Sequence, residues 1–190
     1  MDDQFSDWVE VLSSVVQGSV LGGTLFDIFI DDIRKVVLDA SIQMFADDTK
    51  VATTIEKEED VEKMQRIIDN LVEWADKWKM SFNVDKCKII HAGHNNPRRM
   101  YYMKGKELKE EDDEKDLGVL VEANMKPGKQ CATAAKSANF ALGQIQRAFH
   151  YRKKDYLVPL YKTFVRPKLE YASSAWSPWL EKDKKLLEIF

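Results

Sequence analysis

Ile42-Gln43-Met44-Phe45-Ala46-Asp47-Asp48-Thr49-Lys50-Val51-Ala52-Thr53-Thr54-Ile55 is the stretch that decides how this chain is read. Residues 42–46 and 51–55 read as half-buried strands on a period of two, with Ile42, Met44 and Ala46 on one face of the first and Val51, Thr53 and Ile55 on one face of the second. Asp47-Asp48-Thr49-Lys50 lies between them as a polar turn, so the unit predicts a β-hairpin. The turn presents two adjacent carboxylates, which repel each other and prefer water or a cation. Oxygen ligands on a tight turn suit Mg²⁺, which keeps several of its waters. Aspartate also favours turns through local hydrogen bonding, so an ordinary Asp-rich turn explains the same residues.

Working outward, the apolar positions Val61, Met64, Ile68, Leu71, Ala75 and Trp78 recur three or four apart between Glu58 and Lys79, which predicts an amphipathic helix. Lys86–Ala92 reads as a strand. Tyr101-Tyr102-Met103 and Glu107-Leu108 flank Lys104-Gly105-Lys106 as a second hairpin. The charge run Glu110–Asp116 reads as an exposed turn, and Leu117-Gly118-Val119-Leu120-Val121 as a short strand. On the N-terminal side, Gln17-Gly18-Ser19-Val20-Leu21-Gly22 is a small-residue turn feeding an apolar helix. After residues 122–127 the pattern becomes wholly helical. Cys131, Ala135, Ala138, Leu142, Ile145 and Phe149 mark one helix. Asp155 is positioned to cap another, with Pro159 near its first turn and Pro167 ending it at Val165. The fold class is therefore α+β, with a boundary that gives residues 1–123 to a mixed domain and 124–190 to a helical one.

The chain has 190 residues, 44% of them hydrophobic, with 8 glycines and 5 prolines. That composition excludes a mainly disordered or collagen-like protein. The longest uncharged stretch, Val11–Phe26, is interrupted by serines and glycines and is shorter than a membrane span, so no membrane partner is expected. Two cysteines make no disulfide framework, and reduced thiols in an intracellular protein are expected. The net charge of −3 conceals a gradient. Residues 1–50 hold ten acids and three bases, whereas residues 124–169 hold ten bases and one acid, Asp155. An acidic front and basic back fit a cation site at one end and a polyanion at the other. A solvated helix face accounts for the lysines equally well.

Taken in order, Ser13-Ser14-Val15-Val16-Gln17-Gly18-Ser19, Phe45-Ala46-Asp47-Asp48, Trp74-Ala75, Phe82-Asn83-Val84-Asp85-Lys86, Lys115-Asp116-Leu117-Gly118-Val119 and Val165-Arg166-Pro167-Lys168-Leu169-Glu170-Tyr171 form a series. This series resembles the reverse transcriptase (RNA-directed DNA polymerase) of non-LTR, jockey-like retrotransposons, from about Trp8 to Glu188. The resemblance implies a partial polymerase palm, lacking fingers and the first catalytic strand, over 1–123, followed by a helical, basic thumb over 124–190. It implies that Asp47, with Asp48 beside it, is a ligand of the catalytic metal pair, two Mg²⁺ or Mn²⁺ ions in the intact parent. It implies that Lys86, paired in the motif with Asn83, lies near the nucleotide's phosphates. Gln17, Gly18 and Ser19 would line the nucleotide and template pocket, and Leu117 and Gly118 would grip the primer. Lys126, Lys129, Lys136, Arg147, Arg152 and Lys153 would follow the nucleic-acid backbone. The implied partners are an RNA template, a DNA primer and deoxynucleoside triphosphates.

The chain departs from the family pattern at Ser14, Val16 and Gly23. Only sixteen residues precede Gln17, and none of Asp2, Asp3 or Asp7 matches the family's first catalytic aspartate. The resemblance thus implies a fragment without the N-terminal half of the polymerase, inactive alone. The alternative is a non-catalytic nucleic-acid-binding remnant of a retroelement. Cys87, His91 and His94, with Cys131 or His150, offer a weaker zinc reading, since structural zinc ligands usually come as two close pairs. Tyr171, Trp176 and Trp179 are suited either to stacking bases or to closing a small helical core.

Overall fold

The computed structural model describes residues 18–93, 96–149 and 153–188. In chain order its elements are α1 (Gly22–Ile30), a 3₁₀ turn (Asp31–Lys35), β1 (Ser41–Phe45), β2 (Asp48–Ala52), α2 (Glu58–Lys77), β3 (Lys88–Ile89), β4 (Tyr102–Met103), β5 (Lys106–Glu107), β6 (Lys109–Glu110), β7 (Asp113–Asp116), β8 (Val119–Glu122), α3 (Gly128–Ala148), α4 (Lys154–Leu160), a π turn (Tyr161–Val165), α5 (Arg166–Glu170), α6 (Ser173–Trp176) and α7 (Glu181–Leu187). Among the described residues the strands pair in twos: β1 with β2, β3 with β6, β4 with β5 and β7 with β8. The fold is α+β. Among the described residues, those up to Phe82, with Tyr101–Lys106, form one compact unit, and those of 83–100 with those from Glu107 onward form another.

The first unit is built on the apolar face of α2. Ile67, Leu71, Trp74 and Ala75 pack against Ile30, Ile33 and Val37. Ile42, Met44 and Val51 lie against that cluster, so one face of the β1–β2 hairpin is seated on the core. The start of α2 is fixed by Asp60, whose carboxylate accepts from the backbone N–H of Glu56 and Lys57 at 3.0 and 2.9 Å. Those two donors hold its pKa below the ordinary carboxylate value. Two indoles meet one carboxylate: Trp74 Nε1 donates to Asp32 Oδ1 at 2.7 Å and Trp78 Nε1 to Asp32 Oδ2 at 3.2 Å. The Gln65 side-chain amide mimics a strand, donating to the Tyr102 carbonyl at 2.7 Å and accepting from its N–H at 2.9 Å.

α1 leaves an apolar stripe uncovered among the described residues. Leu21, Leu25 and Ile28, at helical spacing, are 65%, 50% and 68% exposed. The hairpin beside it in sequence has two strands, and among the described residues neither of its edges is paired. Exposed apolar stripes and open edges drive association. The protein is expected to elute above monomer mass on size exclusion with light scattering, and Leu25→Glu with Ile28→Glu to shift it toward monomer. A wild type that stays monomeric at high concentration contradicts this.

In the second unit, α3 presents a face of small residues. Ala138 and Ala141 with Ile145 pack on Val165, and Cys131 with Ala134 packs on Val119 and Trp176. Glu122, 7% exposed, caps α3 from outside the helix: its Oε2 accepts from Lys129 N–H at 2.9 Å. Gln130 Oε1 accepts from Leu120 N–H at 2.9 Å and so occupies part of the free edge of β8.

Several sequence expectations need correction here. The 47–50 turn is in fact Ala46-Asp47, because Phe45 pairs directly with Asp48 and the second strand runs over 48–52. The 86–92 strand shrinks to Lys88–Ile89, paired in parallel with Lys109–Glu110. The charge run 110–116 is not simply a turn, since Asp113–Asp116 is a strand, paired with Val119–Glu122. Its charges are matched: Lys88 Nζ reaches Glu114 at 2.5 Å, and Lys129 pairs with Asp113. The helix after residue 153 begins with Lys153 as its cap residue, and Asp155 lies within its first turn. Pro159 sits beyond that first turn, inside the helix. Pro167 does not end the helical run. The backbone widens at 161–165, with Arg166 N–H donating to the Tyr161 carbonyl, and α5 restarts with Pro167 in its first turn. A first turn is where a missing N–H is tolerated.

Candidate functional site

The tip of the β1–β2 hairpin carries the carboxylate pair. Two residues, Ala46 and Asp47, connect the strands, and Ala46 takes φ +51°. A positive φ in a two-residue loop matches the right-handed twist of the strands it joins. Asp47 is in the loop and Asp48 opens β2. By the alternation along each strand, Ile42, Met44, Thr49 and Val51 share the core-facing side, while Gln43, Phe45, Asp48 and Lys50 share the other. Asp47 and Asp48 are both exposed, and neither makes an ion pair among the described residues.

The pair supplies hard oxygen donors of the kind Mg²⁺ or Mn²⁺ takes. Among the described residues no group of three or more acidic, histidine or cysteine side chains is placed to hold a metal ion. The residues present therefore fit part of a divalent-cation site rather than a whole one. Asp31 and Asp32, which follow α1, already have partners. Asp32 is held by Trp74 and Trp78, and Asp31 lies 3.5 Å from Arg34.

Gly18 and Ser19 lie in the turn before α1, where Gly18 adopts φ +83° and Ser19 accepts from Gly22 N–H at 3.3 Å. Gln17 lies outside the described residues. Gly18 and Ser19 share the first unit with Asp47 and Asp48. Lys86 belongs to the second unit and lies on a turn, not a strand. Its N–H donates to the Asn83 carbonyl at 3.0 Å, and the same carbonyl accepts from Cys87 N–H and Sγ. Asn83 and Lys86 are thus brought together on one tight turn with both side chains exposed.

Leu117 and Gly118 form the two-residue turn between β7 and β8, where the sequence pointed to a strand. Their φ values, +46° and +88°, are both positive, the type I′ pattern. The Leu117 carbonyl accepts from the Tyr171 hydroxyl at 2.9 Å.

The basic residues after Asn124 divide. Lys129, Thr133, Lys136, Phe140 and Arg147 are exposed at helical spacing on one stripe of α3. Lys129 is engaged by Asp113, and Arg147 Nε donates to the Gly143 carbonyl at 3.2 Å. Lys126, Lys136 and Lys153 are exposed and make no ion pair among the described residues; Arg152 lies outside them. Sequence reasoning missed Phe140, an aromatic 63% exposed within the stripe. The spacing of Lys129, Lys136 and Arg147 was the signal that would have found it.

Among the described residues the zinc ligands do not come together. Cys131 is fully buried in the α3 core, and burial pushes the Cys131 and Cys87 thiols above their ordinary pKa, against the thiolate form that binds metal. His94 and His150 lie outside the described residues. Trp176 is a core residue, while Trp179 is 59% exposed. No helix among the described residues is long and apolar enough to cross a membrane.

Comparison with known proteins agrees with the motif series. Residues 5–150 match the family described as reverse transcriptase (RNA-dependent DNA polymerase). A curated relative from Drosophila funebris, described as RNA-directed DNA polymerase from mobile element jockey, is 29% identical over 174 residues, covering 84% of this chain and 19% of that protein. Its counterpart of the same description from Drosophila melanogaster is 24% identical over 176 residues, covering 85% of this chain and 19% of that protein. The chain thus spans about a fifth of the length of the curated relatives it matches. No solved structure matches it.

Proposed function

The chain belongs to the reverse transcriptase (RNA-dependent DNA polymerase) family, and we propose that it is a palm-and-thumb portion of a retrotransposon RNA-directed DNA polymerase. The observation that carries this reading is the exposed Asp47-Asp48 pair at a hairpin tip seated on the first unit's core, inside the matched region. In it, residues 1–123 are the partial palm and 124–190 the thumb. Asp47 and Asp48 hold a divalent cation together with a carboxylate from another part of the parent polymerase. When bound, such cations neutralise the developing charge of phosphoryl transfer. Lys86, exposed on its turn, faces nucleotide phosphates as a point charge. Gln17, Gly18 and Ser19 line the pocket for the incoming nucleotide and template base. The 117–118 turn contacts the primer.

The α3 stripe follows the template–primer backbone. Lys126, Lys136, Arg147, Arg152 and Lys153 meet phosphates, Phe140 lies against sugar or base, and Lys129 joins only by exchanging Asp113 for a phosphate. Within this reading the chain alone binds nucleic acid without polymerising, so the remnant alternative describes the same molecule in isolation.

Titration of a labelled RNA–DNA hybrid at several salt concentrations tests the nucleic-acid half. Each phosphate contact contributes about 0.7–0.9 to the slope of log affinity against log salt, so these five contacts give a slope of about −3.5 to −4.5. Lys136→Ala is expected to weaken binding to every sequence and to reduce the slope by about 0.8. A flat salt response in the wild type overturns the reading.

A further inference from the structure

Tyr171 is fixed at three points, although it is 56% exposed. Its N–H donates to the Pro167 carbonyl at 3.0 Å. Its carbonyl accepts from Trp176 Nε1 at 2.8 Å, and Trp176 is itself buried with Val119, Cys131 and Ala134. Its hydroxyl donates to the Leu117 carbonyl at 2.9 Å. The ring lies against the next residue of the same turn: a Cβ added to Gly118 would fall 3.1 Å from Tyr171 Cε1. Burial alone does not explain so much restraint on a half-exposed side chain. What the restraint fixes is the turn. Leu117 at φ +46° is in a region that costs a non-glycine residue energy and persists only when its surroundings over-determine it. The hydroxyl and ring of Tyr171 supply that outside constraint, anchored through Trp176 in the helical core.

We infer that Tyr171 is a positioning residue that holds the Leu117–Gly118 turn in the shape that recognises a recessed primer end, so that the 166–176 segment and the turn work as one element. The inference rests on the proposed assignment of that turn to the primer. It goes further in naming what sets the turn's geometry and in giving the Val165–Tyr171 motif and Trp176 a task. The sequence alone left Tyr171 between base stacking and core packing; here it does neither, and acts through the backbone of another residue.

The experiment compares the full chain with Tyr171→Phe and Gly118→Ala on two RNA–DNA hybrids of equal paired length, one with a recessed DNA 3′ end on an RNA overhang and one blunt. Amide hydrogen exchange over residues 117–119 is followed in parallel. The wild type is expected to prefer the recessed end. Tyr171→Phe, which keeps the ring and loses only the hydroxyl, is expected to weaken binding to the recessed end about fivefold, to leave blunt binding and salt slope unchanged, and to speed exchange at the turn by a similar factor. Gly118→Ala, which forces the ring away at a strained φ, is expected to weaken binding to the recessed end and to speed exchange at the turn from the other side of the contact. Faster exchange with the preference intact means the clamp exists without serving recognition, which overturns the inference while leaving the primer assignment standing. A lost preference with unchanged exchange means that Tyr171 touches nucleic acid itself, which also overturns it. No preference in the wild type removes the primer assignment and the inference with it, and the exchange data then show whether the clamp is only structural.

Discussion

Incubated with an RNA template, a DNA primer, deoxynucleoside triphosphates and Mg²⁺ or Mn²⁺, the 190-residue chain is expected to leave the primer unextended. Two-metal phosphoryl transfer needs carboxylates that converge on ions about 3.5–4 Å apart from more than one direction. Asp47 and Asp48 are consecutive residues at one hairpin tip, and no third ligand group joins them among the described residues. Exchanging the matching segment of the Drosophila funebris polymerase for this chain is expected to give an enzyme that extends. In that chimera Asp47→Asn keeps the side-chain shape and removes the charge, and is expected to lower the extension rate at least about a thousandfold, equivalent to about 4 kcal/mol of transition-state stabilisation. Asp48→Asn is expected to be milder, about tenfold, because Asp48 lies on the outer strand face behind the loop. Robust extension by the unmodified chain that disappears with Asp47→Asn overturns the fragment reading.

How much of this was legible depended on whether a signal was local. The hairpin at 41–52 could be read because alternation is a local property and one face is buried. Its turn was misplaced because Asp48, Thr49 and Lys50 look like loop residues, yet the exposed face of a strand is polar too. The same ambiguity hid β7, where Glu114 and Asp113 in a strand are balanced by Lys88 and Lys129 from elsewhere in the fold. Leu117 reads as strand because it is apolar; Gly118 is the cue for a turn, and only the pairing of Asp116 with Val119 makes it decisive. The Asp47-Asp48 pair was visible at once, but its meaning came from the order of distant motifs, not from two aspartates. The long-range partners Glu122, Gln130 and Asp32 leave no periodic trace, because a buried or half-buried polar group is identified by what it meets after folding.

Asp32 carries the second large expected effect. Its carboxylate accepts from two indoles, Trp74 in the last turn of α2 and Trp78 just after it as the C-cap, and Trp74 is only 5% exposed. Trp78 is set further by an edge-on contact with Phe29, ring centroids 5.1 Å apart. Asp32→Ala removes both acceptors and strands a buried indole N–H, whose unmet desolvation costs about 1–3 kcal/mol beyond the lost bonds. The expected destabilisation is about 3 kcal/mol, read as a lower midpoint in urea by tryptophan fluorescence. Asp32→Asn keeps one oxygen acceptor but turns an NH₂ toward the other indole, and is expected to cost about half as much. Trp74→Phe made in the Asp32→Ala background should restore part of the loss, since it withdraws the stranded donor; that coupling separates the hydrogen bond from general packing. The variant also decides whether Asp32 belongs to catalysis. If Asp32→Ala leaves the urea midpoint unchanged yet abolishes extension in the chimera, Asp32 is the missing carboxylate and the indole contacts are incidental. If the midpoint falls and the folded chimera still extends, the aspartate fastens α2 to the segment before the hairpin, and a further ligand for Asp47 and Asp48 must come from elsewhere in the parent polymerase.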